Sequence, residues 1–280
     1  MFYLKKQLFI ILQGNMLVTN LRTQKKNGGV VEFLKTILYA LILAGIIRTL
    51  LFQPFWIPSG SMKPTLLVGD FIFVNKFAYG YSRYSCPFAI CPIRNRLFER
   101  PPNRGDVVVF RHPENGKDFV KRLVGLPGDV VRLKEGKLFI NESEVDSTKV
   151  EDFIEIKSSQ GPLGSIPRCK NAPVALGGYC SKDHFIEQLT QGFSHSVLDI
   201  GSYFGDNTPG FEVPTGHYFF LGDNRDNSLD SRFGITSGGV GYVPANYLIG
   251  RVDRIIFSSA GSSMLYFWTW RANRFFKAVN

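Results

Sequence analysis

The sequence predicts a mainly β protein with an antiparallel sheet, an inserted second β lobe and one N-terminal transmembrane helix. Three observations support this fold class. An apolar run covers residues 33–55, and short runs rich in Val, Ile and Phe, separated by glycines, follow it. Between about residues 142 and 211 the chain becomes polar and rich in glycine and proline. With 280 residues and 44% hydrophobic content, it can bury one large core or two modest lobes.

The apolar run at residues 33–55 is long enough to cross a bilayer once. Its uninterrupted centre, residues 36–47, is short, but the flanking apolar positions extend it to 23 residues. A helix of that length spans about 34 Å, enough for a hydrocarbon core of about 30 Å if Lys35 and Arg48 reach the interfaces. The alternatives are a buried core helix and a cleaved signal peptide. The bulky residues PFWIPSGSM that follow disfavour cleavage.

Basic residues cluster before this helix, and their position predicts its orientation. They are Lys5, Lys6, Arg22, Lys25, Lys26 and Lys35. Only Lys63 lies within about twenty residues after Arg48. By the positive-inside rule, residues 1–32 form a cytoplasmic segment and the chain after about residue 56 lies across the membrane. A shorter apolar stretch from Gln7 to Val18 could lie at the interface.

The net charge of +10 and the pI near 9.5 fit nucleic acid, an anionic membrane surface or an acidic substrate. No zinc-finger or recognition-helix pattern accompanies the charge, and much of it lies at the two ends of the chain, beside apolar segments. We therefore expect a lipid bilayer as partner and no nucleic acid.

The four cysteines fall into two local pairs, Cys86 with Cys91 and Cys169 with Cys180. Neither pair has the C-x-x-C spacing of zinc or thioredoxin-like sites. The cysteines alone leave two interpretations open, local disulfides in an oxidising compartment and buried free thiols in the cytosol. Export of the chain beyond the helix favours disulfides.

The region beyond the helix is predicted to form antiparallel strands. Six runs carry the pattern: DFIFVNKF, DVVVFR, DFVKRLVG, DVVRLKEGKLFIN, HYFFLGD and YLIGRVDRIIFS. Glu135 and Gly136 mark a hairpin between two of them. These runs assign residues 56–141 and 212–260 to one β domain, and the polar segment 142–211, without strong periodicity, to a less constrained inserted lobe.

The tail at residues 261–280 combines aromatic side chains with Arg271, Arg274 and Lys277. This mixture is typical of an amphipathic helix at a membrane interface. A helix packed on the sheet is the alternative.

A candidate nucleophile lies just after the membrane segment, in the run IPSGSMKPTL at residues 57–66. Pro58 and Pro64 limit the backbone on either side and Gly60 lets it bend, so a serine hydroxyl can be held at a fixed angle. A polar turn that joins the helix to a strand is the other interpretation.

A serine nucleophile needs a base, and the sequence favours lysine over histidine for that role. No G-x-S-x-G elbow occurs, and nothing beside the four histidines supports a Ser-His-Asp triad. In the strand DFVKRLVG, alternation puts Lys121 on the face of Phe119 and Leu123. Burial among apolar groups lowers a lysine pKa and leaves a neutral amine. An edge-strand lysine that reaches solvent is the alternative.

A third segment, GHYFFLGDNRDNSLDSRFG at residues 216–234, is a strand that ends in a dense run of Asp, Asn, Ser and Arg. Such runs form hydrogen-bonded turns that fix side chains in place. A solvated loop with local salt bridges is the alternative.

Taken together, these segments resemble the type I signal peptidases, membrane-bound Ser-Lys proteases with a coiled, mostly antiparallel β catalytic region. After the membrane segment, four motifs in order carry the resemblance: PSGSMKPTL, GDFIFVNKFAYG, RGDVVVFRHPENGKDFVKRLVGLPGD and GDNRDNSLDSR. The sequence departs from well-known members in its single clear spanning helix, in the insertion CPFAIC and in its aromatic tail.

The resemblance implies a role for each matching residue. Ser61 would be the nucleophile and Lys121 the general base, while the Ser59 hydroxyl and the Ser61 N–H would form the oxyanion hole. Ser228 would orient the lysine amine. The supporting residues would be Asp230, Arg232 and Arg122, which match a charge network, and Gly222 and Asp223, which line the site. No metal or cofactor is required.

The implied substrate is an exported preprotein with small residues at positions −3 and −1 of its signal peptide. The walls of the substrate pockets are expected to be Phe55, Ile57, Met62, Leu66 and Val120. The implied location is the bacterial inner membrane, with a cytoplasmic N-terminus, a periplasmic catalytic domain and the export machinery as a neighbour.

Three other functions remain to be weighed against this one. They are a Ser-Lys peptidase for pilin or conjugation substrates, a self-cleaving repressor of related fold, and a catalytically silent β scaffold that binds signal peptides. No helix-turn-helix region precedes Ser61, which disfavours the repressor.

Overall fold

The computed structural model describes residues 29–279 except 87, 88, 90, 191 and 262. It begins with α1 (Gly29–Leu50), a helix rich in Leu, Ile and Ala. Glu32 in its first turn and Arg48 in its last complement the helix dipole. Residues 29–48 have a mean hydropathy of 2.1, so by length and composition this helix is able to cross a membrane. The stretch from Gln7 to Val18 lies outside the described residues.

The helix differs in its bounds from the predicted span of residues 33–55. It begins at Gly29 and ends at Leu50, and Phe52–Trp56 is a β-strand instead. Pro54 explains the early end, because proline cannot donate the helical hydrogen bond and disfavours helical geometry in the residue before it. The aromatic residues around Pro54 favour a strand.

The described part of the chain contains sixteen strands. In chain order they are β1 (Phe52–Trp56), β2 (Asp70–Asn75), β3 (Val107–Arg111), β4 (Asp118–Gly125), β5 (Val130–Lys134), β6 (Lys137–Ile140), β7 (Ser143–Glu144), β8 (Asp146–Lys149), β9 (Phe153–Ile156), β10 (Tyr179–Thr190), β11 (Phe193–Asp199), β12 (Phe211–Glu212), β13 (His217–Leu221), β14 (Val243–Pro244), β15 (Leu248–Ser258) and β16 (Lys277–Ala278). They form three antiparallel sheets.

The main sheet has eight strands in the order β1-β2-β15-β3-β4-β13-β14, with β16 beside β15. Both of its faces are buried at β3. Val107 and Val109 pack in a cluster with Ile57 and Met62, whereas Val108 belongs to a second cluster on the other face. This double burial explains why β3 is a continuous apolar run. The mainly β, antiparallel fold class is therefore confirmed.

The inserted lobe is more ordered than its polar sequence predicts. Strands β8, β9, β10 and β11 form a four-stranded sheet, in which β10 alone is twelve residues long. Residues 130–140, which the sequence assigned to the β domain 56–141 and 212–260, lie in a third sheet, β12-β5-β6-β7, and not in the main sheet. The hairpin at Glu135 and Gly136 occurs where expected, and both residues have positive φ, 52° and 76°.

The tail forms neither of the two predicted helices among its described residues. It folds into two 3₁₀ turns, Phe267–Thr269 and Ala272–Arg274, and then pairs through β16 with β15. Arg274 donates to both carboxylate oxygens of buried Asp70, at 3.1 and 2.6 Å. A buried carboxylate needs a cation nearby, and this requirement outweighs the helical preference of the tail.

Disulfide bonds join Cys86 to Cys91 and Cys169 to Cys180. These are the two local pairs that we expect to be oxidised if the chain beyond the helix lies outside the cytosol.

Candidate active site

The turn that carries Ser61, residues 57–66, lies between β1 and β2 and is fixed from two sides. Lys63 N donates to Gly60 O at 3.2 Å, which closes the turn around the serine. Asn224, in the loop after β13, donates its backbone N–H to Ser61 O at 3.0 Å and its side-chain amide to Gly60 O at 2.8 Å. The backbone of Ser61 is therefore held by a segment more than 160 residues further along the chain.

The two residues predicted for chemistry lie in direct contact. Lys121 Nζ donates to Ser61 Oγ at 2.6 Å. Lys121 lies in the centre of β4 with 3% of its surface exposed, and its Nζ is 6.0 Å from the centroid of the Phe119 ring. The Ser59 and Ser61 hydroxyl oxygens are 3.5 Å apart. The first serine therefore faces the same space as the second.

Burial lowers the pKa of the Lys121 amine from 10.5 to about 8, because an ammonium ion loses hydration among apolar groups. The carboxylates of Asp230 and Asp223 oppose this effect by attraction, while Arg232 adds to it by repulsion. The pKa of this amine therefore lies within about one unit of neutral pH.

Two buried ion pairs surround the serine and the lysine. Asp223 accepts from Arg122 Nε and Nη2, both at 2.8 Å, and Arg122 also donates to Gly105 O at 2.7 Å. Asp230 accepts from Arg232 Nε at 2.8 Å. Both pairs are nearly inaccessible to solvent. Each buried charge is compensated by the opposite charge of its partner. The structure therefore brings the predicted charge network together around Lys121.

Ser228 is close to the serine turn. Its Oγ is buried and has no partner among the described residues. A methyl group added at Gly222 would lie 2.2 Å from Ser228 Oγ and 2.8 Å from Ser61 O. The absence of a side chain at Gly222 therefore lets the Ser228 side chain approach the serine turn. The Gly222 N–H donates to Asp230 Oδ2 at 3.0 Å.

A cavity of about 310 Å³ opens beside the serine and the lysine and is mostly apolar. Its lining contains four of the five predicted wall residues, Phe55, Ile57, Met62 and Val120. Leu66 is not part of the wall, because it is fully buried in the cluster behind Ile57 and Met62. The sequence did not single out four other lining residues, Trp56, Lys117, Asp118 and Phe119. A larger cavity of about 590 Å³, at Gly105 and Phe193, includes neither Ser61 nor Lys121.

Sequence reasoning missed Asn224 and Thr65, which hold the site together. Thr65 Oγ1 donates to Asp223 Oδ2 at 2.5 Å. The dense polar run after β13 contains Asn224, but nothing in the run indicates that this asparagine reaches the serine turn. Thr65 is one residue beyond Pro64, in a motif that the sequence explains by backbone restriction alone.

Histidine has no contact with the serine in the described part of the chain. His112 Nε2 bonds to Gly239 O at 2.9 Å. Burial, together with repulsion from Arg122, lowers the pKa of His195 to about 3, so this histidine is neutral. Among the described residues, no group of three or more His, Cys, Asp and Glu side chains could hold a metal ion.

A serine hydroxyl that accepts a hydrogen bond from a buried amine, beside an apolar cavity in an antiparallel β fold, is the arrangement of a serine peptidase. Comparisons with known proteins agree. The family model described as "Signal peptidase, peptidase S26" matches residues 30–257. Signal peptidase I of Rickettsia typhi is 37% identical over 245 residues, covering 84% of this chain and 83% of the relative.

A second relative, signal peptidase I of Rickettsia rickettsii, is 39% identical over 231 residues, covering 79% of this chain and 77% of the relative. Among solved structures, a signal peptidase I from Enterococcus faecalis matches 55% of this chain and 97% of its own, with 24% identity and a TM-score of 0.29. The chain belongs to the signal peptidase family, peptidase S26, and is an enzyme of this class. The resemblance inferred from the four motifs is confirmed.

Proposed function

We propose that this chain is a membrane-anchored serine endopeptidase that removes N-terminal signal peptides from exported preproteins through a Ser61–Lys121 dyad. The contact of 2.6 Å between Lys121 Nζ and Ser61 Oγ is the observation that carries the proposal. It joins a hydroxyl to an amine whose pKa burial has lowered to about 8. Such an amine is a competent general base for a serine near neutral pH.

In the acylation step, neutral Lys121 takes the proton of the Ser61 hydroxyl while Ser61 Oγ attacks the scissile carbonyl carbon. The resulting ammonium then protonates the leaving amine, the C–N bond breaks, and an acyl-enzyme remains. In deacylation, Lys121 removes a proton from the attacking water and returns it to Ser61 Oγ as the ester breaks. Asp230 and Asp223 favour the transient ammonium by attraction.

The negative charge on the carbonyl oxygen needs donors that are already in place. We assign them to the Ser61 backbone N–H and the Ser59 hydroxyl, which lies 3.5 Å from Ser61 Oγ. The bonds from Asn224 to Gly60 O and Ser61 O support this assignment, because they fix the peptide units that carry the donors.

The size and lining of the cavity support selection of small residues at positions −3 and −1. Phe55, Ile57, Met62 and Val120 would clash with large side chains and would not stabilise charged ones. Their apolar surface would also keep water away from Lys121 before substrate binds.

The proposed location is the bacterial inner membrane, with α1 as the anchor and the export machinery nearby. The basic residues before α1 favour a cytoplasmic N-terminus. The two disulfides favour an oxidising compartment for the region after it, which is the periplasmic side.

The decisive experiment incubates detergent-solubilised protein with one model preprotein and sequences the new N-terminus of the product. We expect one cut after a small residue at −1 with another at −3. The variants Ser61→Ala and Lys121→Met should each abolish cleavage, while circular dichroism shows that they remain folded. Full cleavage by either folded variant would refute the dyad.

A catalytically silent scaffold that binds signal peptides is the competing proposal. A serine-reactive lactam inhibitor distinguishes the two, because only an activated serine becomes acylated. Stoichiometric labelling of the wild type and none of Ser61→Ala would support the enzyme, and absence of labelling in both would support the scaffold.

A further inference from the structure

We propose that Glu155, on β9 of the inserted lobe, is a positioning residue that holds the Ser61 turn through Lys63. The inference rests on the proposed role of Ser61 as nucleophile and extends it to a part of the chain that contains none of the proposed catalytic residues. Its basis is a cluster of two buried and two half-buried side chains, Lys63, Lys182, Glu155 and Gln160, hereafter the lysine–glutamate cluster.

The contacts in this cluster run from the turn to the lobe. Lys63 Nζ donates to Glu155 Oε2 and to Gln160 Oε1, the latter at 2.8 Å. Gln160 Nε2 donates to Glu155 Oε2 at 2.8 Å, and Lys182 Nζ, on β10, donates to Glu155 Oε1 at 2.6 Å. The Glu155 carboxylate therefore accepts from three side chains at once.

The Lys63 backbone belongs to the turn that presents Ser61. Its N–H closes that turn on Gly60 O at 3.2 Å. A methyl group added at Gly60 would lie 3.3 Å from Lys63 Cε, so the lysine stem also packs along the turn. Fixing the end of the Lys63 side chain therefore restricts the backbone of the residues on either side of Ser61.

Burial restricts the movement of the Lys63–Glu155 ion pair and makes its stability depend on both charges. The side chains of Lys63, Lys182 and Glu155 are 4%, 1% and 11% exposed. Burial lowers the pKa of Lys63, and the Glu155 carboxylate opposes that effect by attraction and by its hydrogen bond. Without Glu155, two buried ammonium groups would lose their shared counter-charge, and Lys63 would move away from Lys182 or lose its proton.

The inserted lobe also donates hydrogen bonds to the loop after β13, the second segment that contacts the serine turn. Arg168 Nη1 donates to Asp226 O at 2.6 Å, and Leu198 N donates to Asp223 O at 2.8 Å. Both acceptors lie in the loop after β13, which clamps Ser61 through Asn224. The lobe therefore contacts both segments that meet at the serine, and Glu155 is its charged contact with Lys63 of the serine turn, beside Gln160.

The test compares Glu155→Ala, Glu155→Gln and Lys63→Met with the matched control Asp183→Asn in the detergent-solubilised full chain. Asp183 is an acid of the same lobe that pairs with the more exposed Lys149 and Lys170. Cleavage of a model preprotein gives kcat and KM, and titration with a serine-reactive inhibitor counts the active sites. Normalising kcat by that count removes losses that come only from unfolded protein.

We expect Glu155→Ala and Lys63→Met to lower kcat per active site about 10-fold or more, with KM within about 2-fold of the wild type. Glu155→Gln keeps one acceptor oxygen but replaces the other with an NH2 donor and removes the charge, so its kcat per active site should lie between the values of these two variants and that of the wild type. Asp183→Asn should match the wild type.

Wild-type kcat per active site in folded Glu155→Ala and Lys63→Met would overturn the inference and leave Glu155 a stabilising residue only. If Glu155→Ala fails to fold, Lys63→Met and Glu155→Gln decide the question by the same measure. Cleavage by Ser61→Ala would instead refute the proposed dyad, so the two failures are distinguishable.

Discussion

In the proposed mechanism Lys121 accepts a proton, so its amine has to be neutral before the reaction begins. With a pKa of about 8, roughly one amine in ten is neutral at pH 7. A solvent-exposed lysine would have fewer than about one neutral amine in a thousand at that pH. Burial in β4 therefore raises the fraction of the Lys121 amine that is neutral at pH 7 about a hundredfold.

The pH dependence of cleavage should report this titration. Because the proposed mechanism requires the neutral amine, kcat/KM should rise about tenfold per pH unit below pH 8 and level off above it. An unperturbed lysine would extend the rise to about pH 10.4. The measurement is kcat/KM for one preprotein between about pH 6 and pH 10.

Lys137→Met serves as the control, because that exposed lysine pairs with Glu144 in the third sheet and should leave the midpoint unchanged. A profile that continues to rise beyond about pH 10 would contradict a buried lysine base.

At the level of elements, the site depends on the close approach of the loop after β13 to the serine turn. Gly222 is a point of close approach, since a Cβ there would lie 2.2 Å from Ser228 Oγ and 2.8 Å from Ser61 O. Real Cβ atoms do not come so close, so Gly222→Ala must push the two segments apart.

We expect Gly222→Ala to reduce kcat/KM about 100-fold, since a shift of about 1 Å in the nucleophile has that effect. Gly234→Ala is the matched control. Its φ is −62°, and a Cβ there would meet only Thr236 Oγ1 at 3.9 Å. Equal activities of the two variants would show that the loop is not packed against Ser61 as described.

The sequence predicts the strands and the dyad, but not the contacts that hold them together. Strand alternation and the motifs identify Lys121 and Ser61, because those signals are local. The position of Pro54 could have predicted the end of α1, but the apolar composition around it masks that signal. Asn224 and Glu155 act on residues more than 90 positions away. Contacts over such a distance leave no periodic pattern in the sequence, so they can be identified only in the folded structure.

At the scale of the whole molecule, hydrogen bonds join the tail to Asp70, the first residue of β2. Arg274 donates to Asp70 at 2.6 Å and to Thr65 O at 2.9 Å, and the Asp70 side chain is fully buried. Removing Arg274 leaves the buried Asp70 carboxylate without its hydrogen-bonded cation and with only the longer contact to Arg271 at 3.8 Å, which costs far more than the loss of a surface pair.

Arg274→Met should therefore lower the free energy of unfolding by about 3 kcal/mol, measured by urea titration of the detergent-solubilised chain. Arg254→Met is the control, because that exposed arginine donates only to Phe276 O among the described contacts and should cost less than about 1 kcal/mol. Equal losses for the two variants would argue against a special role for the buried pair.

The bond between Arg274 and Asp70 joins residues 204 positions apart. A chain that is synthesised from its N-terminus exposes Ser61, Lys121 and Asp230 well before Arg274 leaves the ribosome. During that interval Asp70, which accepts the Ile57 N–H through its backbone at 2.9 Å, has no arginine to neutralise it. We expect the serine turn to acquire its final shape only after Arg274 has joined the fold, so a nascent chain that still lacks Arg274 should not yet cleave substrate.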